Sequence, residues 1–384
     1  MHTRIVLLQD AVYLPSYGGG NKANRLLLTE LAARGCDCHA VSRIAGDRHF
    51  LAQQFSAAGL AARGIAVTAE AANRMSYSYQ GVQVEALELP AAAAITRIAA
   101  LLREVDPDWI LVSDDRHAVL LDVALRYASD RVVVLVHTHV HLPFGPEADA
   151  VHPEQHARMR AARGIVATSE YSRTHLRNFG GLDSSLQRFP VFSNGPFEPS
   201  SGADSGCVTM INPCLIKGLP IFLELAALFP EVPFAAVPTW GGDEAVICEL
   251  SQLPNMTALE PADDVGAVLR GTRVLLAPSL IPETFGYVAV DAMLRGIPVL
   301  SGHLGGQPEA KLGVDYVLPV APARRTATGY VVPPQDVAPW RDTLRALLSD
   351  RDLYRRCALA SRDAALRFLP QTDAIHFANY LNAL

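Results

Sequence analysis

Lysine is scarce in this chain of 384 residues, which has lysine only at positions 22, 217 and 311. The other 30 of its 33 basic residues are arginine, a bias that fits the coding of a GC-rich genome. A lysine retained inside a motif is therefore more informative than usual. Acidic residues outnumber basic ones, 39 to 33, and the net charge of −6 argues against a dedicated nucleic-acid-binding protein.

Cysteine and long apolar runs are also in short supply. Six cysteines with no zinc-ligand spacing predict neither a disulfide framework nor a structural zinc site, and we expect reduced thiols in a cytoplasmic protein. No apolar run reaches the ~18 residues that indicate a transmembrane helix. The start of the chain lacks the apolar region and cleavage site of a signal peptide.

Half of the residues are hydrophobic, enough for buried cores in about two domains. Short β-branched runs alternate with amphipathic stretches, which predicts parallel α/β sheets. The predicted strands are Ile5–Leu8, His39–Ser42, Val82–Leu87, Trp109–Ser113, Val132–Val136, Ile165–Thr168, Val208–Ile211, Phe234–Val237, Val274–Ala277 and Pro298–Ser301.

A turn-rich stretch at 196–202 marks a domain boundary. We predict a Rossmann-like domain over 1–195, a second one over 196–365, and a closing helical segment over 366–384. Because open α/β sheets bind ligands at the carboxyl ends of their strands, two such domains in tandem can bring a donor and an acceptor together in a cleft.

The segment 278–301 carries the most specific chemistry. A loop after the strand that ends at Ala277 holds Glu283, and Gly286 then opens a helix whose first N–H groups, at Tyr287 and Val288, can bind an anion. Asp291 follows on the first turns of that helix, where a carboxylate can accept hydrogen bonds from vicinal hydroxyls. A capped helix with two solvated acids is the alternative.

This segment resembles the E-x7-E signature of the family 4 retaining glycosyltransferases, enzymes of the GT-B fold. The matching residues are Glu283, Phe285, Gly286, Asp291, Ala292, Met293, Gly296, Pro298 and Val299. The chain departs at the second acid, where Asp291 replaces glutamate. Three further segments match the family in order: the glycines at 18–20, Ser193–Gly195 and Gly305–Glu309. The resemblance implies two Rossmann-like domains facing across a cleft, with the C-terminal helix returning to the N-terminal domain.

The segment Asn212–Gly218 occupies the place of a family motif in which an arginine and a lysine clamp the donor diphosphate. Lys217 holds the lysine position and Asn212 the arginine position. Loss of that arginine removes a bidentate charge-assisted contact. An exposed lysine before a helix is the alternative interpretation of Lys217.

Gly18, Gly19 and Gly20 allow close approach of a ligand to the backbone, and the helix expected from about Lys22 again directs its N-terminus at the site. The spacing also fits a dinucleotide fingerprint, with Ser42–Arg43 placed as in an NADP site. Seven residues separate the first strand from Gly18, too many for the tight turn of that fingerprint, so the family's glycine loop is favoured.

Three histidines alternate after the strand Val132–Val136, at positions 137, 139 and 141. In the family that this chain resembles, a histidine after this strand lies beside the donor sugar and the reacting centre, a role that matches His137 best and His139 next. A structural histidine is the alternative for each. A metal site is not expected, since no carboxylate or cysteine completes a ligand set nearby.

The resemblance implies transfer of a hexosyl group from a nucleotide-diphosphate sugar, with retention and without a metal or cofactor. We expect His137, Glu283 and Lys217 in catalysis, and Gly18 with His139 on the sugar or acceptor side. The residues expected to bind the donor are Gly19, Gly20, Asn212, Lys217, Glu283, Phe285, Gly286, Tyr287, Val288 and Asp291. A bacterial small-molecule acceptor is expected, bound by the loops 10–17, 73–80 and 143–153. A sugar-phosphate donor or phosphorylase activity, a non-catalytic partner subunit and an NADP-linked oxidoreductase remain open.

Overall fold

Buried runs of β-branched residues form the strands of two mostly parallel sheets. The computed structural model of the protein describes residues 3–44, 52–71, 73–113, 115–192, 195–327 and 329–384. The chain divides into unit 1, Met1–Val191 with Gln371–Leu384, and unit 2, Phe192–Pro370. The first boundary therefore lies four residues before the predicted one.

Unit 1 contains, among its described residues, a nine-stranded sheet in the order β3-β4-β5-β2-β1-β6-β7-β8-β9. Its strands are β1 (Arg4–Gln9), β2 (Asp37–Arg43), β3 (Val67–Ala71), β4 (Arg74–Tyr79), β5 (Val82–Leu87), β6 (Trp109–Ser113), β7 (Val132–Val136), β8 (Gly164–Ala167) and β9 (Ser185–Leu186). Its helices up to residue 180 are α1 (Gly19–Ala33), α2 (Ala57–Ala61), α3 (Ala92–Val105), α4 (Val119–Ala128), α5 (Pro153–Arg160) and α6 (Glu170–Gly180). The central strands β1, β6 and β7 are almost wholly buried, as a parallel sheet covered on both faces requires.

The edge of this sheet differs from expectation. Residues 73–80 were predicted to form a loop, but Arg74–Tyr79 is strand β4, antiparallel to both β3 and β5. Met75 and Tyr77 point into the core while Ser78 is exposed. That period-2 pattern is typical of a strand with one buried face.

Unit 2 contains a six-stranded parallel sheet in the order β12-β11-β10-β13-β14-β15, again among the described residues. The strands of this unit are β10 (Cys207–Ile211), β11 (Phe234–Val237), β12 (Met256–Ala258), β13 (Thr272–Ala277), β14 (Val299–Gly302), β15 (Val317–Leu318), β16 (Arg324–Thr326) and β17 (Gly329–Val331). Its helices are α7 (Leu219–Leu228), α8 (Glu244–Leu250), α9 (Val265–Leu269), α10 (Tyr287–Leu294), α11 (Gln307–Ala310), α12 (Ala338–Ser349) and α13 (Arg351–Phe368).

The last helix, α14 (Ala374–Ala383), packs on α1 and so belongs to unit 1. Arg34 of α1 forms an ion pair with Asp373 at 2.8 Å, and the Phe377 ring lies 5.8 Å from that of Phe189. The predicted start of the closing segment, residue 366, falls inside α13.

Candidate functional site

Two loops at one edge of the unit 2 sheet bring Lys217 and Glu283 together. The lysine follows β10 and the glutamate follows β13, and these neighbouring strands run parallel, so their carboxyl ends share an edge. A backbone hydrogen bond of 2.9 Å from the Leu280 N–H to the Ile216 carbonyl joins the two loops. The Lys217 ammonium donates a hydrogen bond to the Glu283 carboxylate.

A pair of glycines positions the Glu283 backbone. Gly305 bridges to Glu283, and the Gly306 N–H donates to the Glu283 carbonyl at 2.6 Å. A Cβ on Gly305 would lie 2.4 Å from that carbonyl oxygen, and one on Gly306 would lie 2.4 Å from the Thr284 oxygen. The segment that resembles the family turn therefore acts as a backing for the loop that carries the glutamate.

The Lys217–Glu283 pair is open to exchange of partners. The two side chains are 19% and 21% exposed, so both charges are partly solvated and each neutralises the other. An anionic ligand could replace Glu283 as the partner of the Lys217 ammonium. A fixed positive charge in that position can stabilise the negative charge that develops on a phosphate in the transition state.

The loop after Glu283 contributes backbone to this edge and side chains to the core. Gly286 has a φ of +116° and begins α10 at Tyr287 and Val288. The first N–H groups of a helix have no partner within the helix, so an anion site at this start is compatible with the structure and stays a prediction. The Phe285 ring, however, is buried and stacks on Phe368 at 5.7 Å, so its side chain belongs to the core of unit 2.

Asp291 and Asn212, both predicted to contact the donor, have partners within the protein. Asp291 is 4% exposed and pairs with Arg295, one helical turn later, at 3.5 Å. Its predicted contact with a ribose stays a prediction, and it would require that pair to open. Asn212 ends β10 in a left-handed conformation, and its side-chain oxygen accepts a hydrogen bond of 2.9 Å from the Gly241 N–H.

In unit 1 the predicted glycines and His137 meet at the carboxyl edge of the sheet. Gly18 is the N-cap of α1, and Gly19 and Gly20 form its first turn rather than a loop before it. A Cβ on Gly20 would lie 2.7 Å from the His137 Cβ. The His137 Nε2 lies 2.8 Å from the Asn24 side-chain oxygen, so α1 orients the imidazole.

A cavity in unit 1 adjoins His137. Its polar lining includes Asp115, whose carboxylate accepts hydrogen bonds from the backbone of Leu120 and Leu121 at the start of α4. Burial raises the pKa of Asp115 to about 6. The lining also includes Ser113, Thr138, His141 and Gln155, with Leu121, Leu142 and Met159 on the apolar side.

His139 lies in a buried network instead of on the open edge. Its Nδ1 lies 2.5 Å from the Glu147 carboxylate, its Nε2 lies 2.9 Å from the Ser172 hydroxyl, and Tyr171 donates to Glu147 at 2.6 Å. Interactions with His139 and Tyr171 outweigh burial and lower the pKa of Glu147. Burial, supported by His139, lowers the pKa of His175 to about 4.

His139, Glu147 and His175 are close enough to suggest a metal site, since their ligand atoms lie within 4.8 Å of one another. Their geometry argues otherwise. The two imidazoles stack 4.0 Å apart at 18°, so their in-plane lone pairs do not converge on one point. This arrangement fits a structural network better than a metal centre.

Ser193 and Asn194 lie outside the described residues. Sequence reasoning also missed Trp240, which follows β11 at the same edge and lies over the Lys217 ammonium, 5.6 Å from the ring centroid. The signal for it was an aromatic residue in the Pro238–Gly242 turn directly after a predicted strand.

Residues 207–350 match the family described as glycosyl transferases group 1. The chain is also similar to the D-inositol 3-phosphate glycosyltransferase of Nocardia farcinica, 36% identical over 100 residues, and to that of Corynebacterium kroppenstedtii, 31% identical over 146 residues. These alignments cover 26% and 38% of this chain. They span 19% and 29% of the length of those relatives.

Solved structures match along the whole chain. Sucrose-phosphate synthase from Thermosynechococcus elongatus has a TM-score of 0.71 at 15% identity, covering 100% of this chain and 99% of that one. HepE of Anabaena, in complex with UDP-glucose, has a TM-score of 0.67 at 16% identity, with 100% of both chains covered. The predicted α/β fold of the GT-B glycosyltransferases is confirmed, and the family match adds support for a glycosyltransferase. In the described part of the chain, no helix combines the length and the apolar character needed to cross a membrane.

Proposed function

We propose that this protein is a retaining glycosyltransferase that moves a hexosyl group from a nucleotide-diphosphate sugar to a small-molecule acceptor. The observation that carries the proposal is the Lys217–Glu283 pair at the carboxyl edge of the unit 2 sheet. It lies inside the stretch that matches the glycosyltransferase family. The solved structures of similar fold include one with UDP-glucose bound.

In the proposed reaction, the bond between the anomeric carbon and the β-phosphate oxygen breaks while the acceptor oxygen bonds to that carbon from the same face. The departing phosphate oxygen takes the acceptor proton. Lys217 and the N–H groups at the start of α10 would stabilise the charge that develops on the diphosphate. Glu283, released from Lys217, would accept hydrogen bonds from hexosyl hydroxyls, and His137 would lie beside the reacting carbon.

The acceptor would bind in unit 1, where the cavity beside His137 has both polar and apolar walls. Two relatives are named D-inositol 3-phosphate glycosyltransferase, and the small hydroxylated molecule in that name supports a small hydroxylated acceptor for this chain. No cofactor and no metal enters the proposed chemistry.

Thermal unfolding against UDP, GDP, ADP, dTDP, NADP and glucose 1-phosphate tests the donor class. A ligand at about 100 times its Kd adds roughly 2.7 kcal/mol, a shift of about 2 °C or more for a chain of this size. We expect one nucleoside diphosphate to raise the midpoint. A shift with glucose 1-phosphate alone would indicate a sugar-phosphate donor, and a shift with NADP alone would indicate an oxidoreductase.

The anomeric outcome requires a second measurement. Incubation with the α-linked glucose conjugate of the nucleotide that binds, followed by proton NMR, reports the configuration of the first product formed. We expect the α configuration. A β product would contradict retention, and an enzyme preparation that never releases nucleoside diphosphate from any conjugate would contradict the transferase.

A further inference from the structure

Trp240 is a large apolar side chain left open at the edge that carries Lys217. It is 49% exposed, whereas Trp340 in the same unit is fully buried. Its ring lies 5.6 Å from the Lys217 ammonium. Ligand sites combine aromatic walls with a few polar groups, and open α/β sheets bind ligands at this edge. The Trp240 ring beside the Lys217 ammonium therefore suits a ligand that has a planar ring next to an anionic group.

Asn212 fixes the turn that presents this ring. Its side-chain oxygen accepts from the Gly241 N–H at 2.9 Å, and the Gly242 N–H donates to the Thr239 carbonyl at 3.0 Å. A Cβ on Gly241 would lie 2.8 Å from the Cys214 sulfur, so the turn is seated closely on the loop after β10. The residue that replaces the family's arginine therefore has a defined structural task.

The Asn212 amide also has a donor group that its contact with Gly241 does not use. Its side-chain nitrogen is buried and, among the described residues, has no hydrogen-bond partner, while the residue as a whole is 7% exposed. A buried polar group without a partner is unfavourable by about 1–3 kcal/mol. An acceptor atom supplied by a ligand would relieve that cost.

Strand order sets which part of a donor can reach Trp240. The order β11-β10-β13 places Trp240 on the opposite side of Lys217 from Glu283. In the proposed function Glu283 contacts the hexosyl group and Lys217 the diphosphate. The part of a nucleotide sugar that continues past the diphosphate, away from the hexosyl group, is the nucleoside.

We propose that Trp240 stacks on the nucleobase of the donor and that Asn212 is a positioning residue that holds the turn carrying it. This inference rests on the proposed function, since it needs a nucleoside diphosphate as ligand. It also accounts for the loss of the arginine, because an indole platform adds affinity on the nucleoside side of the phosphates. Stacking tolerates every base, so it does not select one.

Intrinsic fluorescence tests the stacking. The chain has three tryptophans, of which Trp109 lies half-buried in β6 of unit 1. Titration with the nucleoside diphosphate that stabilises the wild-type protein should quench the emission, and the quenching should vanish in W240F but persist in the matched control W109F. Persistence of the full quenching in W240F would overturn the proposal.

Binding constants separate base from phosphate. We expect W240A to weaken the nucleoside diphosphate by about tenfold or more, from the affinity typical of a base stacked on an aromatic side chain, while W240F stays within about threefold. Inorganic pyrophosphate, which has no base, should bind W240A as it binds the wild type. An equal loss for both ligands, or none for either, would overturn the proposal. A W240A variant that binds the nucleoside diphosphate normally and loses affinity only for its glucose conjugate would also overturn the proposal.

The role of Asn212 has its own readout. N212A should increase acrylamide quenching of the Trp240 emission, which is identified by its absence in W240F, because the turn that carries the ring loses its hydrogen bond to Asn212. N212D keeps the acceptor oxygen and should restore the wild-type value. An unchanged N212A would remove Asn212 from the proposal. If no nucleoside diphosphate shifts the wild-type midpoint, the proposed function and this inference both fail. A shift without any Trp240 effect overturns the inference alone.

Discussion

The carboxyl edges of the two sheets hold similar residue types in opposite states. In unit 1, the buried His139 and Ser172 and the half-buried Glu147 and Tyr171 form a hydrogen-bonded set in which each polar group has a partner inside the protein. In unit 2, the side chains of Lys217 and Glu283 pair with each other, are 19% and 21% exposed, and lie beside the exposed Trp240 ring. Removing one partner of a largely buried polar pair destabilises a fold, because the other partner is left uncompensated, whereas a partly exposed pair can exchange one partner for a ligand.

This difference indicates which polar clusters are candidates for ligand binding and which have a structural role. Acids and bases lie close together at both edges. In unit 1 their hydrogen-bonding atoms are paired within the set, whereas Lys217 and Glu283 are joined by one hydrogen bond and are 19% and 21% exposed. Substitutions should therefore separate the two groups: activity should depend on Lys217 and Glu283, and stability on the hydrogen-bonded set in unit 1.

The largest effect is expected at Lys217. K217A should lower kcat by about 100-fold or more, since it removes a fixed positive charge from the leaving diphosphate. Its free energy of unfolding should change little, because the ion pair is partly solvated. R351A, which removes a highly exposed charge from the same unit, serves as the control. An unchanged kcat of K217A in steady-state kinetics would contradict a catalytic role for Lys217, and with it the contrast between the two edges.

Glu147 should show the reverse pattern. E147A should lower the free energy of unfolding by about 3 kcal/mol, because it leaves a buried imidazole and a phenol without their charged partner. Affinity for nucleoside diphosphate should stay as in the wild type. The control is E170A, whose carboxylate is exposed and pairs with Arg173 on one helix face. Urea unfolding in which both variants behave alike would contradict the assignment.

His175, which is buried and stacks on His139, should also make unit 1 sensitive to acid. His175 has its pKa lowered to about 4 by burial and by His139, while an unfolded histidine titrates near 6.5. Between pH 6.5 and 4 the unfolded chain binds the extra proton, so stability falls as the pH falls, by an amount on the order of 2 kcal/mol. Unfolding measured across this range should show a flatter profile for H175F, with the exposed H376Q as control. Parallel profiles for all three proteins would exclude His175 as the source.

The smallest effect is expected at Gly20. G20A brings a methyl group to 2.7 Å from the His137 Cβ, so α1 or the histidine must shift. We expect a loss of about 1 kcal/mol in stability, together with a several-fold lower kcat if His137 acts beside the reacting carbon. G271A, where the added carbon meets nothing within 4 Å, is the control. A fully active G20A would weaken the role predicted for His137.

Four strands have the predicted bounds: Val82–Leu87, Trp109–Ser113, Val132–Val136 and Phe234–Val237. They are short runs, mostly apolar and mostly buried, which is the pattern of a strand covered on both faces of a sheet. Strand β4 was missed because its alternation is short and its outer residues are polar, which also fits a loop.

The candidate site divides in the same way. The meeting of Lys217 and Glu283 follows from two strands ending at one edge, and it was predictable. The Asp291–Arg295 pair was visible as an i, i+4 spacing on a helix and was overlooked. The partners of His139 lie 8 and 33 residues away, so no local pattern contains them.

The scarcity of lysine does not by itself identify functional residues. Lys217 lies at the candidate site, but Lys311 is buried and donates to the Val299 carbonyl at 2.5 Å. Burial lowers the pKa of Lys311 to about 8. A rare residue type is therefore retained for packing as well as for chemistry.

The assignment of α14 to unit 1 has a consequence for synthesis in the cell. Unit 1 is discontinuous in the chain: its first part ends at Val191 and its last part begins at Gln371. At about 5–20 residues per second, a ribosome needs roughly 10–40 s to make the intervening stretch. During that interval the surface of α1 that α14 covers is exposed on the nascent chain, so unit 1 gains its full set of contacts only after the last helix has been made.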